Sequence, residues 1–244
     1  MLLLTLLACE PAAPTTPLLV LAAASLTDAV TDLSTAFEEQ HPEIDVQASF
    51  AGSQTLRLQI AQGAAADVFL SANHDHILAL QADGLASPSA VFARSRLALI
   101  VPDRPASIAR FADLPQVERL VIGEAATPIG QYTEALLERA GDAYGADFVE
   151  AVRERVVSEE TSVRLARTRV LLGEADAAIV YQTDTRADGL ATVPIPASLN
   201  ITADYHMAAT SSSGVAALWT GFLTSADGCA LLQAHGFSAT ACEG

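Results

Sequence analysis

Apolar runs of strand length recur along this chain, and each passes through a turn of small and hydroxyl-bearing residues into a segment of helical spacing. Leu18-Leu19-Val20-Leu21-Ala22 has the length of a buried strand; the turn Ala23-Ala24-Ser25-Leu26 follows, and Val30, Leu33, Ala36 and Phe37 then recur at helical intervals until Pro42. Ile44–Phe50 alternates as a strand, Gly52 and Ser53 turn the chain into a helix over Thr55–Gln62, Gly63 stops it, and Asp67–Leu70 is the next strand. Strand, helix and strand in alternation admit few folds. The strands pair as parallel neighbours in a sheet whose faces the helices cover.

The alternation resumes further on. A helix is expected over His74–Ala82, a strand over Leu97–Val101, another over Leu120–Gly123, and a helix over Gln131–Ala140. Thr161–Leu172 is helical again, Gly173 closes it, and Asp176–Tyr181 is a strand; Val215–Leu223 and Gly228–Ala234 read as two helices that return to the first unit. With 244 residues the chain exceeds the usual single domain and is short for three. The expectation is an α/β protein of two lobes, 18–97 with 201–244 and 98–200, with a ligand cleft between them.

Charge narrows the partners. Thirteen Lys and Arg stand against 29 Asp and Glu, a net charge of −16, so no basic face is available for nucleic acid. The same charge does not forbid a small anion, because exposed charges are screened beyond about 8–10 Å at physiological salt and the donors lining a cleft decide its affinity.

Residues 1–17 have a separate character. Leu2–Ala8 is almost wholly apolar and ends in Leu6-Leu7-Ala8-Cys9, before the Pro-rich stretch Glu10–Pro17. This resembles a bacterial lipoprotein signal, with Cys9 as the lipidated residue and a Pro-rich tether after it; the run is much too short for a membrane-spanning helix of about 20 residues. No Lys or Arg precedes the run, which points to a start upstream. With Cys9 acylated, Cys229 and Cys242 remain as an even pair, either a disulfide in an oxidising compartment or two buried thiols.

The turns carry the chemistry. Ser25, Ser53 and Gly130, the last in Thr127-Pro128-Ile129-Gly130-Gln131-Tyr132, each sit where a helix begins. A helix N-terminus leaves N–H groups unpaired and carries partial positive charge, so several converging ends make an anion socket without any Lys or Arg. Taken alone, such a serine is an N-cap contributing about 1 kcal/mol, and Tyr181 is a core tyrosine with a satisfied hydroxyl.

In order and spacing, Ala22-Ala23-Ala24-Ser25-Leu26-Thr27, Gly63–Ala72, Pro128-Ile129-Gly130-Gln131-Tyr132 and Gly173–Tyr181 resemble the periplasmic molybdate-binding proteins of ABC transporters, over Leu18–Phe237. The resemblance implies a type II periplasmic binding protein fold, mixed sheets flanked by helices in two lobes, with an oxyanion in the cleft. It implies that Ser25, Ser53 and Tyr181 supply hydroxyls and Ile129 and Val163 main-chain N–H groups. It further implies an extracytoplasmic, lipid-anchored monomer without a cofactor or catalysis, which binds molybdate or tungstate and hands it to a permease. Relatives often carry a run of serines where this chain has Gly52-Ser53-Gln54, so Ser53 alone supplies that hydroxyl unless Thr55 substitutes. A receptor for sulfate or another tetrahedral oxyanion is the neighbouring reading.

Other constellations are weaker. A serine esterase would need a base beside Ser25 or Ser53, and the five histidines, at 41, 74, 76, 206 and 235, show no triad pattern. His74-Asp75-His76 lacks further metal ligands and reads as a solvated helix start. A phosphate-cradling Gly-x-x-x-x-Gly-Lys-Ser/Thr loop is absent, so the chain is not a transporter's ATPase.

Overall fold

The computed structural model describes residues 15–103 and 108–239. Cys9, the Pro-rich tether as far as Pro14, and Cys242 lie outside them. In chain order the elements are β1 (Thr16–Ala23), α1 (Thr27–Gln40), β2 (Ile44–Ala51), α2 (Ser53–Ala61), β3 (Val68–Ser71), α3 (Asp75–Ala82) and β4 (Ala90–Pro102). Next come β5 (Leu120–Gly123), α4 (Pro128–Tyr144), α5 (Ala146–Arg153), β6 (Val156–Glu160), α6 (Val163–Leu171), β7 (Ala177–Tyr181) and β8 (Leu190–Val193). The chain returns through β9 (Thr202–Ala209), α7 (Gly214–Leu223), α8 (Ala226–Ala234) and β10 (Ser238–Ala239).

The strands run β2-β1-β3-β9-β4-β7-β5-β6, with β8 and β10 also paired to β4. β1 lies parallel to β2 and β3, and β5 parallel to β6 and β7, as strand–helix alternation requires. β9 and β4 run antiparallel to their neighbours, so the sheet is mixed. β4 joins the halves. Over Ala90–Arg96 it pairs with β9, and from Leu97 onward with β7 and β8.

The helices cover the sheet through the residues whose spacing foretold them. Val30, Leu33 and Phe37 of α1 are fully buried, and Phe37 meets Trp219 of α7 edge-on with ring centroids 5.1 Å apart. Burying such a side chain contributes about 1.5–3 kcal/mol. Gly63 and Gly173 end α2 and α6 with φ of +90° and +72°, the left-handed conformation that glycine adopts without a Cβ penalty.

Some elements were not anticipated. β6 is an edge strand of sequence Val-Val-Ser-Glu-Glu, and β9 reads Thr-Ala-Asp-Tyr-His-Met-Ala-Ala, so neither has an apolar run; their partners make them strands. β4 extends well before Leu97 for the same reason. The expectation of a solvated start to α3 is corrected: His76 is buried, and His74 stacks on His206 at 4.3 Å, because this end of α3 packs on β9. Among the described residues no group of three or more His, Cys, Asp or Glu could hold a metal ion. Cys229 is disulfide-bonded.

Candidate functional site

Four strand-to-helix turns converge on one small cavity. Ala23, Ala24 and Ser25 come from the end of β1, Gly52 and Ser53 from the start of α2, Thr127, Pro128 and Ile129 from the start of α4, and Ser162 and Val163 from the start of α6; Ala72 and Tyr181 complete the lining. All five residues expected at the site therefore surround it, whereas Thr55 does not. The cavity is small, with about 20 Å³ of room for the centre of a water-sized molecule, and so suits a compact guest. It lies at the carboxyl ends of parallel strands, where open α/β sheets bind ligands.

Local sequence sets each turn. Thr127 caps α4, its hydroxyl accepting from the Gly130 N–H at 2.9 Å, and Pro128 occupies the first helical position, where its missing N–H removes nothing. A Cβ on Gly130 would come within 2.0 Å of the Glu124 carbonyl oxygen, so only glycine lets α4 start this close to β5. Ser162 caps α6, accepting from the Leu165 N–H at 3.4 Å. Ile129 and Val163 follow these caps within the first turn, where an N–H has no intrahelical acceptor.

The serines do not serve as caps. Ser53 is the first residue of α2 after Gly52, and Ser25 lies in a short 3-10 turn, Ala24–Leu26; neither helix start has a side-chain cap. Ser53 Oγ accepts from the Ala72 N–H at 3.1 Å, and Ser25 Oγ accepts from the Tyr205 hydroxyl at 2.9 Å. Each serine has an acceptor site filled from behind and its own proton still to give. The Tyr181 hydroxyl is buried without a hydrogen-bond partner among the described residues. Burial, then the neighbouring Tyr205 and Tyr132, pushes its pKa well above the usual tyrosine value, so it stays protonated as a donor.

The lining contains no Asp, Glu, His, Lys or Arg. Neither serine thus has a general base within the cavity, and the esterase reading loses its essential partner. The cavity can give hydrogen bonds from several directions and bring an opposing charge only through helix termini.

Contacts between the two halves of the sheet close over this site. Gln54 Nε2 donates to the Thr161 carbonyl at 2.8 Å, Asn73 Nδ2 to Gln131 Oε1 at 2.7 Å, and Arg164 Nη2 to Asp28 Oδ2 at 2.6 Å. A Cβ on Gly52 would stand 2.3 Å from the Thr161 oxygen, so the approach depends on that glycine. Gln54, Asn73 and Tyr205 were not singled out from the sequence. The caps Thr127 and Ser162 had a local signal, whereas Tyr205 lies 180 positions from its partner Ser25 and had none.

A mixed sheet seamed at one shared strand, with helix starts from both halves around a small buried cavity, defines the class of two-lobed periplasmic binding proteins. Residues 18–238 match the family model described as bacterial extracellular solute-binding protein. The molybdate-binding protein ModA of Mycobacterium tuberculosis is 32% identical over 242 residues, covering 95% of this chain and 89% of that protein. The chain belongs to the bacterial extracellular solute-binding proteins, and is accordingly an extracytoplasmic binding protein and not an enzyme. Two solved structures share the fold: the periplasmic molybdate-binding protein of Azotobacter vinelandii (TM-score 0.76, 22% identity, 90% of this chain and 98% of that one) and the sulfate-binding protein SubI of M. tuberculosis (TM-score 0.83, 18% identity, 92% and 87%).

Proposed function

We propose that this protein binds molybdate or tungstate and delivers it to the permease of an ABC transporter, as a monomer held to the membrane by a lipid on Cys9. The observation that carries the reading is a cavity whose polar groups are free to donate: the hydroxyls of Ser25, Ser53 and Tyr181 and the first-turn N–H groups of Ile129 and Val163. A fully deprotonated tetrahedral oxyanion has only acceptors and matches such a set. Phosphate carries a proton at neutral pH and would leave it without an acceptor. Charge-assisted hydrogen bonds contribute about 1.5–3 kcal/mol each, so five of them, after ordering costs, reach the roughly 8 kcal/mol of micromolar binding.

Residues 18–97 with 201–244 form one lobe in this reading and 98–200 the other, with bending at β4 opening the cleft. An anion touching both lobes favours the closed state by its differential affinity, and that state is what a permease recognises. The relative from M. tuberculosis, named for molybdate, supports this ligand over sulfate.

Thermal unfolding of the chain from Leu18 onward with each anion tests the proposal. At about a thousandfold excess over Kd a ligand adds about 4 kcal/mol, a rise in Tm of roughly 8–16 °C for this size. Such a rise is expected with molybdate and tungstate and not with phosphate. A rise with sulfate alone would reassign the ligand, and none with any of the four would overturn the reading.

A further inference from the structure

The Ser25 hydroxyl has a single proton, and a free hydroxyl rotates to donate or accept as its guest requires. At this site one residue restricts that freedom by filling one of the two lone pairs. Tyr205 lies in β9 and does not line the cavity; it is fully buried, and its hydroxyl donates to Ser25 Oγ at 2.9 Å. Its ring is held edge-on between Tyr181 and Phe237, with centroids 5.6 and 5.1 Å away, so it has no room to turn aside. Ser53 is held in the same sense by a backbone N–H, that of Ala72, which no substitution but proline removes.

We propose that Tyr205 is a positioning residue that sets the hydrogen-bond polarity of the cavity: by donating to Ser25 Oγ it commits the Ser25 proton to the guest, favouring oxyanions without a proton over those that carry one. The inference rests on the reading of the cavity as an oxyanion site. Without the Tyr205 hydroxyl, Ser25 is free to turn its lone pairs inward and accept the proton of hydrogen phosphate. Tyr205 then governs which anions are refused, without touching any of them.

The test is calorimetric titration of the wild type, Tyr205→Phe and Tyr181→Phe with molybdate and with hydrogen phosphate at neutral pH, alongside thermal unfolding of each without ligand. Tyr205→Phe keeps the ring and its packing. It is expected to weaken molybdate about five- to tenfold, the loss of one hydrogen bond of ordinary strength, while hydrogen phosphate holds or gains, narrowing the ratio of the two affinities by about tenfold. Tyr181→Phe, which removes a donor from the cavity itself, should leave hydrogen phosphate no better bound than in the wild type.

An equal fall for both anions in Tyr205→Phe, the mark of a merely structural role, would overturn the proposal, as would no change. A wild type that binds no tetrahedral oxyanion would overturn the oxyanion reading first and the role of Tyr205 with it, a distinguishable failure. If Tyr205→Phe does not fold, Ser25→Ala probes the bond from its other end. Molybdate should weaken at least about tenfold when that charge-assisted donor is lost. Unchanged affinity would show that Ser25 gives the anion no proton, leaving Tyr205 no polarity to set.

Discussion

Tyr181 and Asp184 sit close together in the chain and illustrate two different reasons for burying a polar group. The Tyr181 hydroxyl has no hydrogen-bond partner among the described residues and, in the proposed reading, is held for the anion. Tyr181→Phe should weaken molybdate binding by about 1.5–3 kcal/mol at little cost to the fold, measured by calorimetric titration; unchanged affinity would remove it from the site. Asp184, fully buried in the 3-10 turn after β7, lies 3.2 Å from Arg164 Nε, close enough to pair but not aligned as a hydrogen bond. Burial pushes its pKa from 3.8 up to about 7, against the opposing pull of Arg164 and Arg167. A carboxyl raised on folding binds its proton more tightly in the native state. Its contribution to stability is therefore fully present below about pH 3.8 and is lost as pH rises through about 7. Asp184→Asn, which does not titrate, should gain on the wild type across that window by an amount on the order of a few kcal/mol, read from denaturant midpoints at each pH. A difference that stays flat with pH would show that Asp184 ionises like an ordinary carboxyl.

At the scale of elements, the helix starts are built to leave N–H groups pointing inward, and α4 shows how little room the arrangement has. Thr127, Pro128 and Gly130 set the cap, the first position and the contact with Glu124, and Ile129 is carried to the cavity by all three. Gly130→Ala places a methyl group against backbone that cannot move aside, so the first turn of α4 has to shift. The expected loss is about 1–3 kcal/mol of stability, together with weaker anion binding. Wild-type affinity in a fully folded Gly130→Ala protein would show that the Ile129 N–H takes no part. The Thr-Pro pair that starts α4 is legible to anyone reading the chain. β6 and β9 were not, because an edge strand and a strand of mixed polarity are fixed by neighbours far away in sequence.

Across the whole molecule, a site assembled from both halves of the sheet would, in the proposed reading, make binding and closure the same event. Gly52 is the place to separate them, since its α-carbon faces the Thr161 carbonyl across the junction. Gly52→Ala should fold normally yet resist closing. Small-angle scattering with saturating molybdate would then show less compaction than the wild type shows, and affinity would fall at least about tenfold, or 1.4 kcal/mol. Equal compaction in the two proteins would mean that the junction accommodates a methyl group and that closure does not depend on this contact.

By itself the sequence determined the alternation of strands and helices, the order of the turns, and the residue types able to donate to an anion. These follow from local rules: the spacing of apolar side chains, capping at helix starts, and the freedom of glycine. Tertiary structure alone decided that four turns, from residues as far apart as Ser25 and Val163, face one cavity, that Ser53 rather than Thr55 lines it, and that Tyr205 stands behind Ser25. The physical reason is that each hydroxyl has one proton and more than one direction in which to give it. Which direction it takes is set by a partner brought close only when the sheet has formed.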